Sequence, residues 1–201
     1  MIKYNSKELI IALLIAFVII LGSFNFFLYS TSFHGSLIRK YSDNPTHLEI
    51  DRNVTRYITS FSPELNVDFN EDEKSHMADV KRLIMFEEFI FIALLIWFFI
   101  LAYKRKINYS HLKKTALIVI LIAVFSLISL LFFDRFFELF HLIFFPQGNW
   151  QFQASSLMIQ AYQQSFFQGF FVRVIVVAFV FSLLFFLLIK IIERNKISHQ
   201  Q

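Results

Sequence analysis

The chain has 201 residues, 57% of them apolar and only 17% charged, with a mean hydropathy of +0.58, whereas an ordinary soluble domain carries about 25% charge. This is the composition of a membrane protein, and four spans of roughly 20 residues leave too little chain for a large soluble catalytic domain. With no cysteine, disulfides, thiol nucleophiles and Cys-ligated zinc or iron–sulfur sites are excluded. A formal net charge of +4 has to be read by location and is no nucleic-acid signal.

Four apolar runs, residues 9–29, 84–103, 115–133 and 170–189, are each long enough to cross a bilayer as a helix. The first follows Lys3 and Lys7 as a signal peptide would. Its apolar core is too long for one, however, and Gly22-Ser23-Phe24-Asn25-Phe26 offers no small-x-small cleavage pair, so it reads as an uncleaved anchor. Tyr29, Trp97 and Tyr103 fall near span ends, where amphipathic rings settle at the headgroup level.

Residues 30–83 predict a small α+β cap. Leu48-Glu49-Ile50 and Leu65-Asn66-Val67-Asp68-Phe69 alternate apolar and polar as half-buried strands do. Between them Tyr57, Ile58 and Phe61 have helical spacing, and Pro45 and Ser62-Pro63 punctuate the edges. So small a piece, without disulfides or metal, is marginal alone and is expected to rest on the membrane helices. The expected fold class is a membrane all-α protein, four transmembrane helices with this α+β cap between the first two. Its parts are 1–29 (N-terminus and first helix), 30–83 (cap) and 84–201 (helices two to four, with an outer loop at 134–169).

Lys and Arg in the loops set the orientation. With both termini cytoplasmic, that side holds ten basic residues (Lys3, Lys7, Lys104, Arg105, Lys106, Lys113, Lys114, Lys190, Arg194 and Lys196) against Glu8 and Glu193. Nine basic and thirteen acidic residues remain outside. Cap and outer loop are therefore expected on the extracytoplasmic face, and function with them.

Six histidines divide by position. His111, in the basic loop, and His199, in the tail, read as solvated surface residues; His34 and His47, in the cap, read as structural or surface residues. His76 opens Ser75-His76-Met77-Ala78-Asp79-Val80-Lys81-Arg82 just before the second span, sharing a helical face with Asp79 (i, i+3). His141 continues the third span through Phe133-Asp134-Arg135-Phe136-Phe137-Glu138-Leu139-Phe140-His141, on one stripe with Asp134, Phe137 and Glu138. Both histidines lie roughly 12 Å or less from the same membrane face at 1.5 Å per residue, so they can meet. Ionisable residues at such depth are functional-site candidates; around His141 that reading outweighs interfacial anchoring, while around His76 composition alone does not choose between them. Pro146-Gln147-Gly148 breaks the helix before Trp150. Seven phenylalanines between 132 and 145, then Trp150, Phe152, Phe166, Phe167, Phe170 and Phe171, supply material for a dry pocket. No His-Glu-x-x-His, Gly-x-Ser-x-Gly or phosphate-loop pattern occurs.

His76-Met77-Ala78-Asp79-Val80-Lys81, the Phe133-Asp134 to Phe144-Phe145 string around His141, and Asn149-Trp150-Gln151-Phe152 together resemble the bacterial lipoprotein intramolecular transacylases. Tyr162-Gln163-Gln164-Ser165-Phe166-Phe167 looks like that family's segment before the last span, without the proline expected there. The resemblance implies a multi-pass protein of the bacterial cell membrane. Its reaction moves the sn-2 acyl chain of a diacylglyceryl-cysteine lipoprotein to the α-amino group of the same cysteine. The implied partners are diacylglyceryl-modified lipoproteins and membrane lipid, with no nucleic acid, no metal or other cofactor, and a monomeric state. His76 and His141 are the expected catalytic pair: His141 as base with Asp134 or Glu138 orienting it, His76 as oxyanion donor, or the two roles exchanged. Asp79, Lys81, Asp134, Glu138, Phe137, Phe145, Trp150 and Arg173 are expected to support them or to position substrate. A partner-binding membrane subunit without catalysis, or a lipid hydrolase using the same histidines, are the alternatives.

Overall fold

The computed structural model describes residues 6–61 and 64–198; Lys3, Ser62-Pro63 and His199 lie outside them. In chain order the helices are α1 (Ser6–Leu28), α2 (Thr31–Tyr41), α3 (Thr46–Ile58), α4 (Glu71–Tyr103), α5 (Tyr109–Ser129), α6 (Phe133–Phe144), α7 (Leu157–Ala161) and α8 (Gln164–Ser198), with a 3₁₀ turn at Leu130–Phe132 between α5 and α6. Among the described residues four stretches are long and apolar enough to cross a membrane: Ser6–Leu28, Glu71–Tyr103, Tyr109–Phe144 and Gln164–Leu187. The chain is a multi-pass membrane protein.

By contacts the chain divides into two units. The first comprises 1–24, 90–127 and 174–201. Ala16, Val119 and Ala178 are almost fully buried there and pack with Ile19, Ile20 and Ile118, small side chains admitting the close helix approach on which membrane packing depends. Thr115 Oγ1 donates to Ala12 O at 3.1 Å, and Glu8 accepts from Ser110 Oγ at 3.0 Å and from Lys114. His111 is buried, not solvated as its loop position suggested: its Nδ1 accepts from Asn108 N at 3.0 Å while its own N–H reaches Asn108 Oδ1 at 3.2 Å. This reciprocal cap satisfies two donors that the start of α5 would otherwise leave unpaired.

The second unit comprises 25–89 and 128–173. Its cap is helical, which corrects the α+β expectation: among the described residues there is no strand. Leu48-Glu49-Ile50 lies inside α3, whose buried stripe is His47, Asp51, Val54, Thr55 and Ile58. Residues 64–70 have no regular structure and bury Phe69. α2 and α3 are joined by a buried polar cluster. His34 Nδ1 is 3.1 Å from Asp51 Oδ1, and Tyr162 donates its hydroxyl to the same oxygen at 3.1 Å. Burial first, then the charge of Asp51, hold the Tyr162 phenol well above its ordinary range. Gly169 of α8 is a point of close approach, since a Cβ there would lie 2.9 Å from Leu37 Cδ2 and 3.3 Å from Tyr41 Cε2. In α6 only His141 is buried, and Phe136, Leu139, Phe140, Leu142, Ile143 and Phe144 are exposed.

Candidate active site

His76 enters from the second turn of α4, which starts on a second reciprocal cap. Asn70 Oδ1 accepts from Glu73 N at 2.9 Å, and Glu73 Oε2 accepts from Asn70 N at 2.8 Å. Glu73 Oε1 also accepts from Met158 N at 2.9 Å. This almost completely buried side chain therefore ties α7 to the start of α4, one turn before His76.

His141 comes from the last turn of α6. Its carbonyl accepts from Phe145 N at 2.8 Å, and Phe145 O accepts from Gly148 N at 3.1 Å, closing a turn over Pro146 and Gln147. Gly148 has φ +80°, a left-handed value at which a Cβ would be strained. The turn brings Trp150 against His141 and Asn149 onto Ser75 and Asp79 of α4.

The imidazoles of His76 and His141 stack with centroids 6.0 Å apart and planes 25° from parallel, each less than a tenth exposed. Phe145 lies 4.7 Å and Phe152 5.6 Å from His76. Phe137 lies 4.3 Å, Trp150 4.8 Å and Phe140 5.5 Å from His141. His141 Nδ1 is 2.7 Å from Phe137 O. A carbonyl only accepts, so Nδ1 carries the proton and Nε2 of the neutral ring keeps a lone pair. Beside the pair a cleft of about 530 Å³ is lined by Ser75, Asp79, Arg82, Leu83, Phe144, Gln147 and Asn149. Asp79 accepts from Asn149 Nδ2 at 2.8 Å, from Gln147 and from Arg82.

Of the residues singled out in the sequence, the structure gathers His76, His141, Asp79, Phe137, Phe145 and Trp150. The others have different engagements. Lys81 Nζ lies 4.4 Å over the Tyr57 ring, and Asp134 accepts from Gln164 Nε2 at 2.5 Å. Glu138 pairs with Arg135 at 3.4 Å. Arg173 donates to Gly169 O at 3.0 Å and lies over the Phe33 ring. His141 takes its orientation from the Phe137 carbonyl rather than from Asp134 or Glu138. Among the described residues no three His, Asp or Glu side chains converge as metal ligands would. Asn149 and Glu73 carry roles that sequence reasoning missed. Asn-x-x-Glu at 70–73 is a legible capping signal, whereas nothing in the sequence brings Asn149 to Ser75 and Asp79.

Fold and site define a membrane-integral protein with two stacked imidazoles in an aromatic enclosure. A family profile described as "Lipoprotein intramolecular transacylase Lit" matches residues 7–167, and the chain belongs to that family. Its fold is similar to that of the membrane integral lipoprotein intramolecular transacylase Lit from Bacillus cereus, with 17% identity over 97% of this chain and 100% of that one at a TM-score of 0.76. A structure of the Bacillus cereus protein with a histidine changed to alanine is similar too, with 18% identity over 95% of this chain and 94% of that one at a TM-score of 0.74. No protein of curated function matches the chain.

Proposed function

We propose that this acyltransferase moves the sn-2 acyl chain of a diacylglyceryl-cysteine lipoprotein to the α-amino group of the same cysteine, giving an N-acyl lyso-lipoprotein. Membership of the transacylase family supports the reaction type. The observation that carries the mechanism is the stacked pair His76 and His141 under Phe145, Phe137 and Trp150.

The nitrogen attacks the ester carbonyl through an eight-membered ring of N, Cα, Cβ, S, two glyceryl carbons, the ester oxygen and the carbonyl carbon. Such rings close poorly unaided, and well-oriented intramolecular attack is worth up to roughly 7–11 kcal/mol. One N–H proton leaves as the C–N bond forms, and one proton reaches the sn-2 oxygen as the C–O bond breaks. A neutral imidazole takes the proton of the attacking α-amino group and returns it to the departing sn-2 oxygen. The aromatic enclosure excludes the water that would compete for the carbonyl. The termini lie in the cytoplasm and the site on the outer face of a bacterial cell membrane, as the Lys and Arg distribution favours.

The test is purified protein in detergent and excess chelator, given equal amounts of light and isotope-labelled diacylglyceryl lipopeptide. Transfer within each molecule, an alkali-resistant amide and unchanged total mass are expected. Free fatty acid would turn the reading to a hydrolase, label crossing between molecules would exclude the intramolecular route, and no product at all would leave a non-catalytic subunit.

A further inference from the structure

The Asn149 amide has one orientation compatible with its neighbours. Its Nδ2 lies 2.8 Å from Asp79 Oδ2 and 3.2 Å from Ser75 Oγ. A carboxylate oxygen accepts but never donates, so the amide nitrogen faces Asp79 and the carbonyl oxygen faces away. That oxygen is buried without a hydrogen-bond partner, and so is Nδ1 of His76, from the same stretch of α4 that carries Ser75 and Asp79. The two orphans are complementary, one an acceptor and the other a ring nitrogen able to carry a proton. Leaving both buried and unmade is costly, and pairing them removes the cost.

We propose that Asn149, anchored through its nitrogen by Asp79, is the positioning residue of His76: its Oδ1 accepts from Nδ1–H and leaves Nε2 bare to take the proton of the attacking amine. The inference rests on the transacylase reading and assigns that reaction's base. His141 has the same tautomer, set by the Phe137 carbonyl, but a neutral peptide carbonyl stands where His76 has an amide backed by a carboxylate. Charge that develops on an imidazole as it accepts a proton is stabilised by a carboxylate acting on its far side, and that arrangement belongs to His76. Stacked at 6.0 Å, the two rings tolerate one extra proton between them, since a second would be a like charge in apolar surroundings. That one is the proton His76 takes from nitrogen as the C–N bond forms, and it is given to the sn-2 oxygen as the C–O bond breaks. The pair thus ends the step with the charge it began with.

The test combines kinetics with ring-nitrogen NMR on full-length protein in micelles. Asn149→Leu is expected to lower kcat on the order of 10²-fold with KM nearly unchanged. Asp79→Asn, which keeps an oxygen for the amide to reach, is expected to retain more activity than Asp79→Ala. Because Asp79 acts through Asn149, adding Asp79→Ala to Asn149→Leu should cost little more. The ¹⁵N signals of His76, identified by their loss in His76→Ala, should show a proton on Nδ1 in the wild type and lose that preference in Asn149→Leu. An unchanged His76 spectrum in Asn149→Leu, or additive losses in the double variant, would overturn the proposal. A wild-type protein that makes no N-acyl product would overturn the transacylase reading instead, and the NMR result would stand apart from it.

Discussion

The six histidines share one chemistry and differ in what stands beside each ring. If the proposed mechanism holds, replacing His76 or His141 by alanine is expected to lower acyl transfer on the order of 10²-fold or more while the yield of folded protein stays near normal. His34→Ala is expected to behave oppositely. It leaves Asp51 buried with one partner fewer, so the thermal midpoint falls while activity per folded molecule is kept. Thermal unfolding beside product mass spectrometry separates the two patterns. His47 reports on pH. It is buried, with Nδ1 2.6 Å from Ser42 Oγ, and burial lowers its pKa, so on acidification the unfolded chain takes up the proton first. Its contribution is full above the unfolded value of about 6.5 and is lost as pH falls from there toward the folded value. Amide exchange in α2 and α3 should accelerate over that window in the wild type and less so in His47→Gln.

At the scale of elements, the long helices were legible because their signal is length and hydropathy, which no tertiary contact can override. α4 nevertheless begins at Glu71, well before the apolar run at 84, because a cap and a buried glutamate extend it through polar sequence. α3 was misread for a definite reason. Its inward stripe holds His47, Asp51 and Thr55 among Val54 and Ile58, so the helical period exists but is written in polar residues, and the short alternation at 48–50 stood out instead. Buried polar stripes are invisible to hydropathy and become legible only when their partners, here His34 and Tyr162, are known. The candidate site divides likewise: depth singles out the two histidines, which the structure stacks, whereas the placing of Asn149 beside Ser75 and Asp79 depends on a turn. Packing offers a prediction here. Gly169→Ala needs small shifts of the Leu37, Arg173 and Tyr41 side-chain ends, but Gly169→Leu drives a whole side chain between α8 and α2. It should destabilise by about 1–3 kcal/mol, read as a lower thermal midpoint, and a midpoint equal to wild type would refute the close approach.

For the whole molecule the first question is direction. Since the chain has no cysteine, single cysteines can be placed without background. Phe61→Cys, in the cap, and Lys104→Cys, after α4, both occupy exposed positions. A membrane-impermeant maleimide should label the first in intact cells and the second only after permeabilisation; the reverse pattern would invert the proposed orientation.

α6 turns His141 inward and leaves Phe136, Leu139, Phe140, Leu142, Ile143 and Phe144 exposed, an apolar surface suited to acyl chains. A lipoprotein already anchored in the same leaflet can then reach the imidazoles by lateral diffusion, so encounter is a two-dimensional event. The concentration that governs turnover becomes a mole fraction among lipids. At fixed substrate and protein, inert phospholipid fused into the same vesicles should slow the reaction by surface dilution, while an equal volume of buffer should leave it unchanged.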